Sequence, residues 1–403
     1  MLVVVVAALT IVMASVAVFP RAATVLWILA LETSPDSWLD PIVGEHETIV
    51  AIMKLFGLVL VAVLAVRQGG RFDAWNPGFA FGVMFVVGFW HGLYPGMPVS
   101  ESVRSLIGSA GPFLFSFTRM RRDVQRAVEW ACMAGPLFTV LFGAALALVG
   151  LCPDFYSGGM GIRLNGPGEP AFLGGFAQTA LYAAMLCSLR GEAGPWTGRL
   201  AAINLAILIL TGARAPMLIT AGVGLVYFIA RGRLVAFAAA GAAGAAGAMF
   251  YGALGFLRVI SLAQAGQADN LSNRDLMWPI FEDALAGSPW VGWGTGAGKF
   301  VVPQSSTIAE LLGTTAAHDE YLRIGVEGGA LGLALLIGCF VAWVGRATAA
   351  MPAGQAWLMR AIFAGFAIHS VTDNTLIATT SSVFFVWVSA VFARGAQARK
   401  AAA

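Results

Sequence analysis

Long apolar runs alternate with short polar breaks along almost the whole chain. A membrane-crossing helix needs about 20 mostly apolar residues, within a range of roughly 17–25. Read against that length, twelve spans are expected, at 2–19, 48–66, 77–95, 102–118, 126–150, 171–189, 198–212, 214–230, 234–257, 318–345, 355–372 and 374–393. The piece 20–31 (PRAATVLWILAL) reads as a thirteenth span or a re-entrant segment. The first run lacks the basic leader and small-residue cleavage site of a secretory signal, so it is read as a retained span. Ala/Gly-rich 237–248 reads as close helix packing.

Two polar stretches break the pattern. One is 151–170, rich in Gly and Pro; the other is 258–317. Loops of that length are usually functional or disordered. Within the longer one, residues 270–284 read as a capped amphipathic helix with Ser272 or Asn273 as N-cap. The expected organisation is therefore transmembrane helices 1–9 over 1–257, a folded extracytoplasmic subdomain over 258–317, and helices 10–12 with a tail over 318–403.

Composition agrees: 59% of residues are hydrophobic and 11% charged, with mean hydropathy +0.80. A soluble domain is nearer a quarter charged, and a disordered chain is far less apolar. The net charge of +3 and scattered basic residues give no nucleic-acid footprint. The four cysteines show no disulfide framework and no metal-ligand spacing. No HExxH or carboxylate cluster points to a metal. The chain reads as an all-α polytopic membrane protein.

Charge also sets the orientation. With the N-terminus cytoplasmic, 15 of the 24 basic residues fall in the five inner loops and the tail, as positive-inside insertion requires. The rest are Arg21, Lys54, Arg104, Arg163, Arg214, Arg258, Arg274, Lys299 and Arg323, mostly on the outer side. Basic residues placed against the rule need a reason.

Arg214, in Thr211-Gly-Ala-Arg-Ala-Pro, starts a helix whose free N–H groups face outward. That makes an anion site, and an idle intramembrane arginine costs about 2.5–3.5 kcal/mol on insertion scales. His318 opens the helix after the long loop, a position suited to a ring that accepts a proton. Arg163 and Arg274 stand in the two outer loops. Each alone reads as a solvated arginine, but together with Arg214 and His318 they share one face. Arg323, three residues after Glu320 and four before Glu327, reads as a helical ion-pair ladder. His46, His91 and His369 carry no functional signal of their own. Two motifs fail. Trp293 and Phe300 stand where a Walker A loop around Gly294–Lys299 needs Gly and Ser/Thr, and Gly108-Ser-Ala-Gly111 reads as helix packing.

Taken in order, Thr211-Gly-Ala-Arg214-Ala-Pro, Arg274-Asp-Leu-Met-Trp278, Pro289-Trp-Val-Gly-Trp-Gly-Thr-Gly296 and Ala317-His-Asp-Glu-Tyr-Leu322 resemble the bacterial O-antigen ligase and polymerase superfamily. Arg163-Leu-Asn-Gly166 with Pro170 also looks like a family element. The likeness is strongest over 160–345. One departure stands out: the family usually has His-Asn, whereas Asp319 follows His318 here. Asp319 is therefore read as a modulator of the base or of acceptor contacts.

The resemblance implies a glycosyltransferase-C-like enzyme of the bacterial inner membrane, multi-pass, with its site facing the periplasm. It would move a glycan from undecaprenyl diphosphate to lipid A–core (ligase) or to another lipid-linked repeat (polymerase), inverting and without metal or cofactor. His318 would be the base, with Arg214, Arg274 and Arg163 on the diphosphate. The competing class is a transporter or flippase for lipid-linked glycan. A purely structural membrane protein is a third reading, which the outward arginines oppose.

Overall fold

The computed structural model describes residues 16, 18–44, 46–158, 161–236, 238–239, 241 and 276–402. Its helices are α1 (Pro20–Glu32), α2 (Pro35–Val43), α3 (His46–Gln68), α4 (Gly78–His91), α5 (Val99–Ala110), α6 (Arg122–Leu148), α7 (Pro170–Leu189), α8 (Pro195–Thr211), α9 (Arg214–Ala230), α10 (Trp278–Gly287), α11 (Thr307–Leu312), α12 (Glu320–Thr348), α13 (Ala353–His369) and α14 (Thr379–Ala402). The fold is a helical membrane fold. Among the described residues, α3, α6, α7 and α12 are long and apolar enough to cross a bilayer, and α4, α8 and α9 are shorter apolar helices. The apolar run at 102–118 is not one α-helix. Pro112 sits at the start of a 3-10 turn, Gly111–Phe117, where α5 gives way.

Residues 20–31 form α1, which begins on Pro20 and buries Trp27, Ile28 and Leu31. Trp27 donates its indole N–H to Met53 O at 3.0 Å and lies over Gly57, where a Cβ would come within 2.6 Å of the ring. The polar stretch at 151–170 departs from all-α structure by a short strand pair. Strands β1 (Phe155–Gly158) and β2 (Gly161–Leu164) pair antiparallel, with Tyr156 opposite Arg163.

Helix α14 is the centre of the bundle. From Val383 to Ala393 every side chain is buried, and a helix apolar on all sides belongs in a core. Phe385 packs on Phe113 at 4.2 Å between ring centroids, and Phe392 meets Trp343 at 4.9 Å. A smaller apolar cluster (Met97, Met277, Phe281, Val302 and Ala309) gathers α10 and α11 onto the α4–α5 connection. Helix α10 begins at Trp278; the expected cap at Ser272 or Asn273 lies outside the described residues, as does most of 237–248.

Several loops assigned to one side by the charge count come together at one end of the bundle. Gly70 bridges Thr118, and Gln397 donates to Met120 O at 2.9 Å. Glu129 pairs with Arg190 and, at 3.7 Å, with Arg394, which also pairs with Glu192. Arg231 donates to Ser188 O at 2.7 Å. His318 lies at the opposite end.

Helix α12 is broken at Gly329 (φ +61°, ψ −169°). The segment 289–294 takes up the backbone groups that the break frees. Trp293 and Gly294 donate to Val326 O and Glu327 O, both at 2.9 Å. Ala330 and Leu331 donate to Pro289 O (2.8 Å) and Trp290 O (3.1 Å). This explains the Pro-x-x-Gly-x-Gly motif. A Cβ on Gly292 (φ +66°) would lie 2.5 Å from the Glu327 carbonyl carbon, so two backbones pass where only glycine fits.

Candidate active site

Helix α12 starts at Glu320, two residues later than its sequence suggests. Asp319 is the N-cap, its carboxylate accepting the Leu322 N–H at 3.0 Å, and His318 precedes it in the left-handed region at φ +49°. Positive φ is uncommon for a non-glycine residue and clusters at functional sites. The Asp319 carboxylate is thus engaged by the helix end. A different carboxylate meets the ring. His318 Nδ1 stands 3.4 Å from Asp373 Oδ1, in the loop between α13 and α14.

Asp373 is held from three directions. Its Oδ1 accepts the Asn374 N–H at 2.8 Å, and its Oδ2 lies 3.6 Å from His369 Nε2 at the end of α13. Burial alone would raise this carboxyl. The His318 hydrogen bond and the positive charge of the two rings outweigh it, holding the group below its usual range. The loop is tied to α12: Glu320 donates its backbone N–H to Ser370 O at 2.8 Å, and Ser370 Oγ meets Thr375 Oγ1 at 2.5 Å. On the other side, Trp278 Nε1 donates to Ala317 O at 3.1 Å, holding the residue before His318 against α10. With Nδ1 turned to the carboxylate, Nε2 is the nitrogen left for chemistry.

Two of the three arginines meet at another turn. Arg163, on β2, donates Nε–H to Thr211 O at 2.7 Å. Thr211 is the last residue of α8; Gly212 (φ +61°) reverses the chain, and Arg214 is the first residue of α9. Arg163 and Arg214 therefore flank one four-residue turn. Arg274 lies outside the described residues.

Helix α7 joins the arginine turn to the histidines through two adjacent glycines. A Cβ on Gly174 would come within 2.7 Å of Ala213 Cβ, and one on Gly175 within 2.8 Å of Thr380 Cγ2. The arginine turn and the start of α14 thus press on the same turn of α7. Gln178, one helical turn on, donates to Pro216 O at 3.2 Å and lines a cleft shared with His369, Asp373 and Thr375.

An apolar groove of about 450 Å³ runs between α12 and α13. Its walls include Leu336, Phe340, Val344 and Phe363. One end lies at Tyr321 and Ser370, beside the His318–Asp373 contact, and the other at Gly345 and Arg360. Among the described residues, no group of three or more His, Cys, Asp or Glu side chains could hold a metal ion.

Residues 200–337, roughly a third of the chain, match the family model for O-antigen ligase. The match supports membership of the O-antigen ligase superfamily. No curated protein matches the chain. The O-antigen ligase match runs from α8 into α12, so it takes in Arg214, Arg274, the 289–296 segment and His318. Arg163, His369 and Asp373 fall outside it.

Sequence reasoning missed Asp373 and His369 as partners of His318. The available signal was the polar break His369-Ser-Val-Thr-Asp-Asn-Thr375 between two apolar runs. Arg323 behaves as read: it pairs with Glu320 and, at 2.7 Å, with Glu327 along one face of α12.

Proposed function

We propose that this protein is a glycosyltransferase of the O-antigen ligase type. It moves a glycan from undecaprenyl diphosphate to an acceptor hydroxyl, lipid A–core for a ligase or another lipid-linked repeat for a polymerase. The reaction takes place at the periplasmic face of the bacterial inner membrane. The twelve-span plan, with 258–317 as an outer subdomain, belongs to this reading. The observation that carries it is the Asp373-held ring of His318, joined through α7 to a turn flanked by Arg163 and Arg214.

The chemistry follows from that arrangement. His318 Nε2 takes the proton of the acceptor hydroxyl as its oxygen attacks the anomeric carbon. The bond from that carbon to the diphosphate oxygen breaks, and its electron pair leaves with the diphosphate. Attack opposite the leaving group inverts the anomeric centre. Charge growing on the diphosphate falls to Arg214, Arg163 and Arg274, whose planar forks match phosphate oxygens. Asp319 enters as the cap that fixes the start of α12, and so the place of His318. The groove between α12 and α13 supplies apolar walls for part of the polyprenyl tail. No metal or cofactor is required.

One observation favours transport instead, because broken helices are a hallmark of transporters. In α12, however, the freed carbonyls accept bonds from Trp293 and Gly294 rather than lining a cavity. Purified protein in proteoliposomes, given lipid-linked glycan and acceptor, distinguishes the two. A joined product, formed equally in the presence of EDTA, is the expected result. Movement of donor between leaflets with no product would contradict it.

A further inference from the structure

Four of the basic residues that run against the charge rule, Lys54, Arg104, Lys299 and Arg323, converge on one place. Lys54 from α3, Lys299 from the 3-10 turn Ala297–Lys299, and Arg323 from α12 line a cavity of about 100 Å³. Arg104 of α5 lies within electrostatic reach of both lysines. The space holds several waters or one small oxyanion. It is separate from the α7 cleft: Ile377 lines it, whereas Asp373 and Thr375, on the same loop, line the cleft.

The arginines here already have partners. Arg104 pairs with Glu101 at 3.2 Å, and Arg323 with Glu320 and Glu327. Among the described residues, neither lysine ammonium makes a hydrogen bond or ion pair. Glu327 stands on the cavity wall, Glu101 beside it and Glu320 on Arg323, so the four cations exceed these three carboxylates. A lysine within an apolar helix is costly and marks a functional site by default. Ser105 is a second, independent sign. It lines the same cavity at 6% exposure, and its Oγ has no hydrogen-bond partner among the described residues. Glycine makes the room, since a Cβ on Gly108 would lie 2.7 Å from Lys54 Nζ.

We propose that this cavity binds a phosphate-class oxyanion, held by the Lys54 and Lys299 ammoniums with the Ser105 hydroxyl donating a third bond. Lys299 remains solvent-exposed, so the anion enters past it. The phosphate could belong to a lipid headgroup or to a soluble species.

The test uses the full chain in neutral detergent, with inorganic phosphate titrated against the melting temperature. A saturable rise is expected, with Lys54→Met and Lys299→Met each weakening the apparent affinity at least about ten-fold, the size of one lost charged hydrogen bond. Lys299→Met, at the exposed mouth, gives a folded variant even if Lys54→Met does not. Absence of a saturable rise, or an unchanged response in a folded lysine variant, overturns the proposal. Nanodiscs separate the sources. If a headgroup fills the site, phosphatidylglycerol discs abolish the phosphate response that phosphatidylcholine discs retain; if the ligand is soluble, both retain it.

Discussion

His318 Nδ1 stands 3.4 Å from Asp373 Oδ1, joining the start of α12 to the loop between α13 and α14. The contact fixes the ring's orientation and decides which nitrogen faces away. A base is useful only when its accepting atom is aimed, and the aim here comes from a residue 55 positions distant.

Asp373→Asn therefore lowers transfer by on the order of 10²–10⁴, because an amide favours the wrong tautomer. Single-turnover rates check this, with donor binding unchanged. The pH dependence has a fixed sign. Asp373 is held below the ordinary carboxylate value of about 3.9, so its contribution to stability is complete above that pH and fades as pH falls through the lowered value. The melting difference between wild type and Asp373→Asn should accordingly collapse only below about pH 4.

Gly329→Ala tests the break in α12. A Cβ there would lie 2.2 Å from the Trp290 carbonyl carbon, and its backbone occupies a region that is essentially glycine-only. The expected loss is at least about 1–3 kcal/mol, read as a lowered melting temperature. Gly338→Ala, in the same helix with nothing within 4 Å of the new Cβ, is the control and should be neutral or stabilising by about 0.5–1 kcal/mol.

The helical membrane class was legible because a lipid-exposed backbone must satisfy itself within helices. Arg214 was legible from Pro216, and the Arg323 ladder from its spacing. The break at Gly329 was not, because its carbonyls are satisfied by a segment some 35 residues earlier. The His318–Asp373–His369 arrangement was hidden for the same reason: local pattern places a helix end but not what another loop brings to it. Asp319, adjacent in sequence, drew attention that belongs structurally to Asp373.

Arg214→Lys should not rescue function, since a point charge cannot replace a bidentate fork. Both donor affinity and rate should fall. Arg163→Lys should behave alike, with an added loss of order where β2 is tied to Thr211. Equilibrium binding of lipid-linked donor, measured beside single-turnover transfer, separates these variants from one lacking only the base.

Removal of the acceptor's proton by His318 is tested by single-turnover transfer in His318→Ala, with donor binding measured on the same purified sample. The expected rate is lower by about 10²–10⁴ with donor affinity retained. Near-normal turnover in His318→Ala would contradict it, leaving His318 as a residue that only precedes a helix.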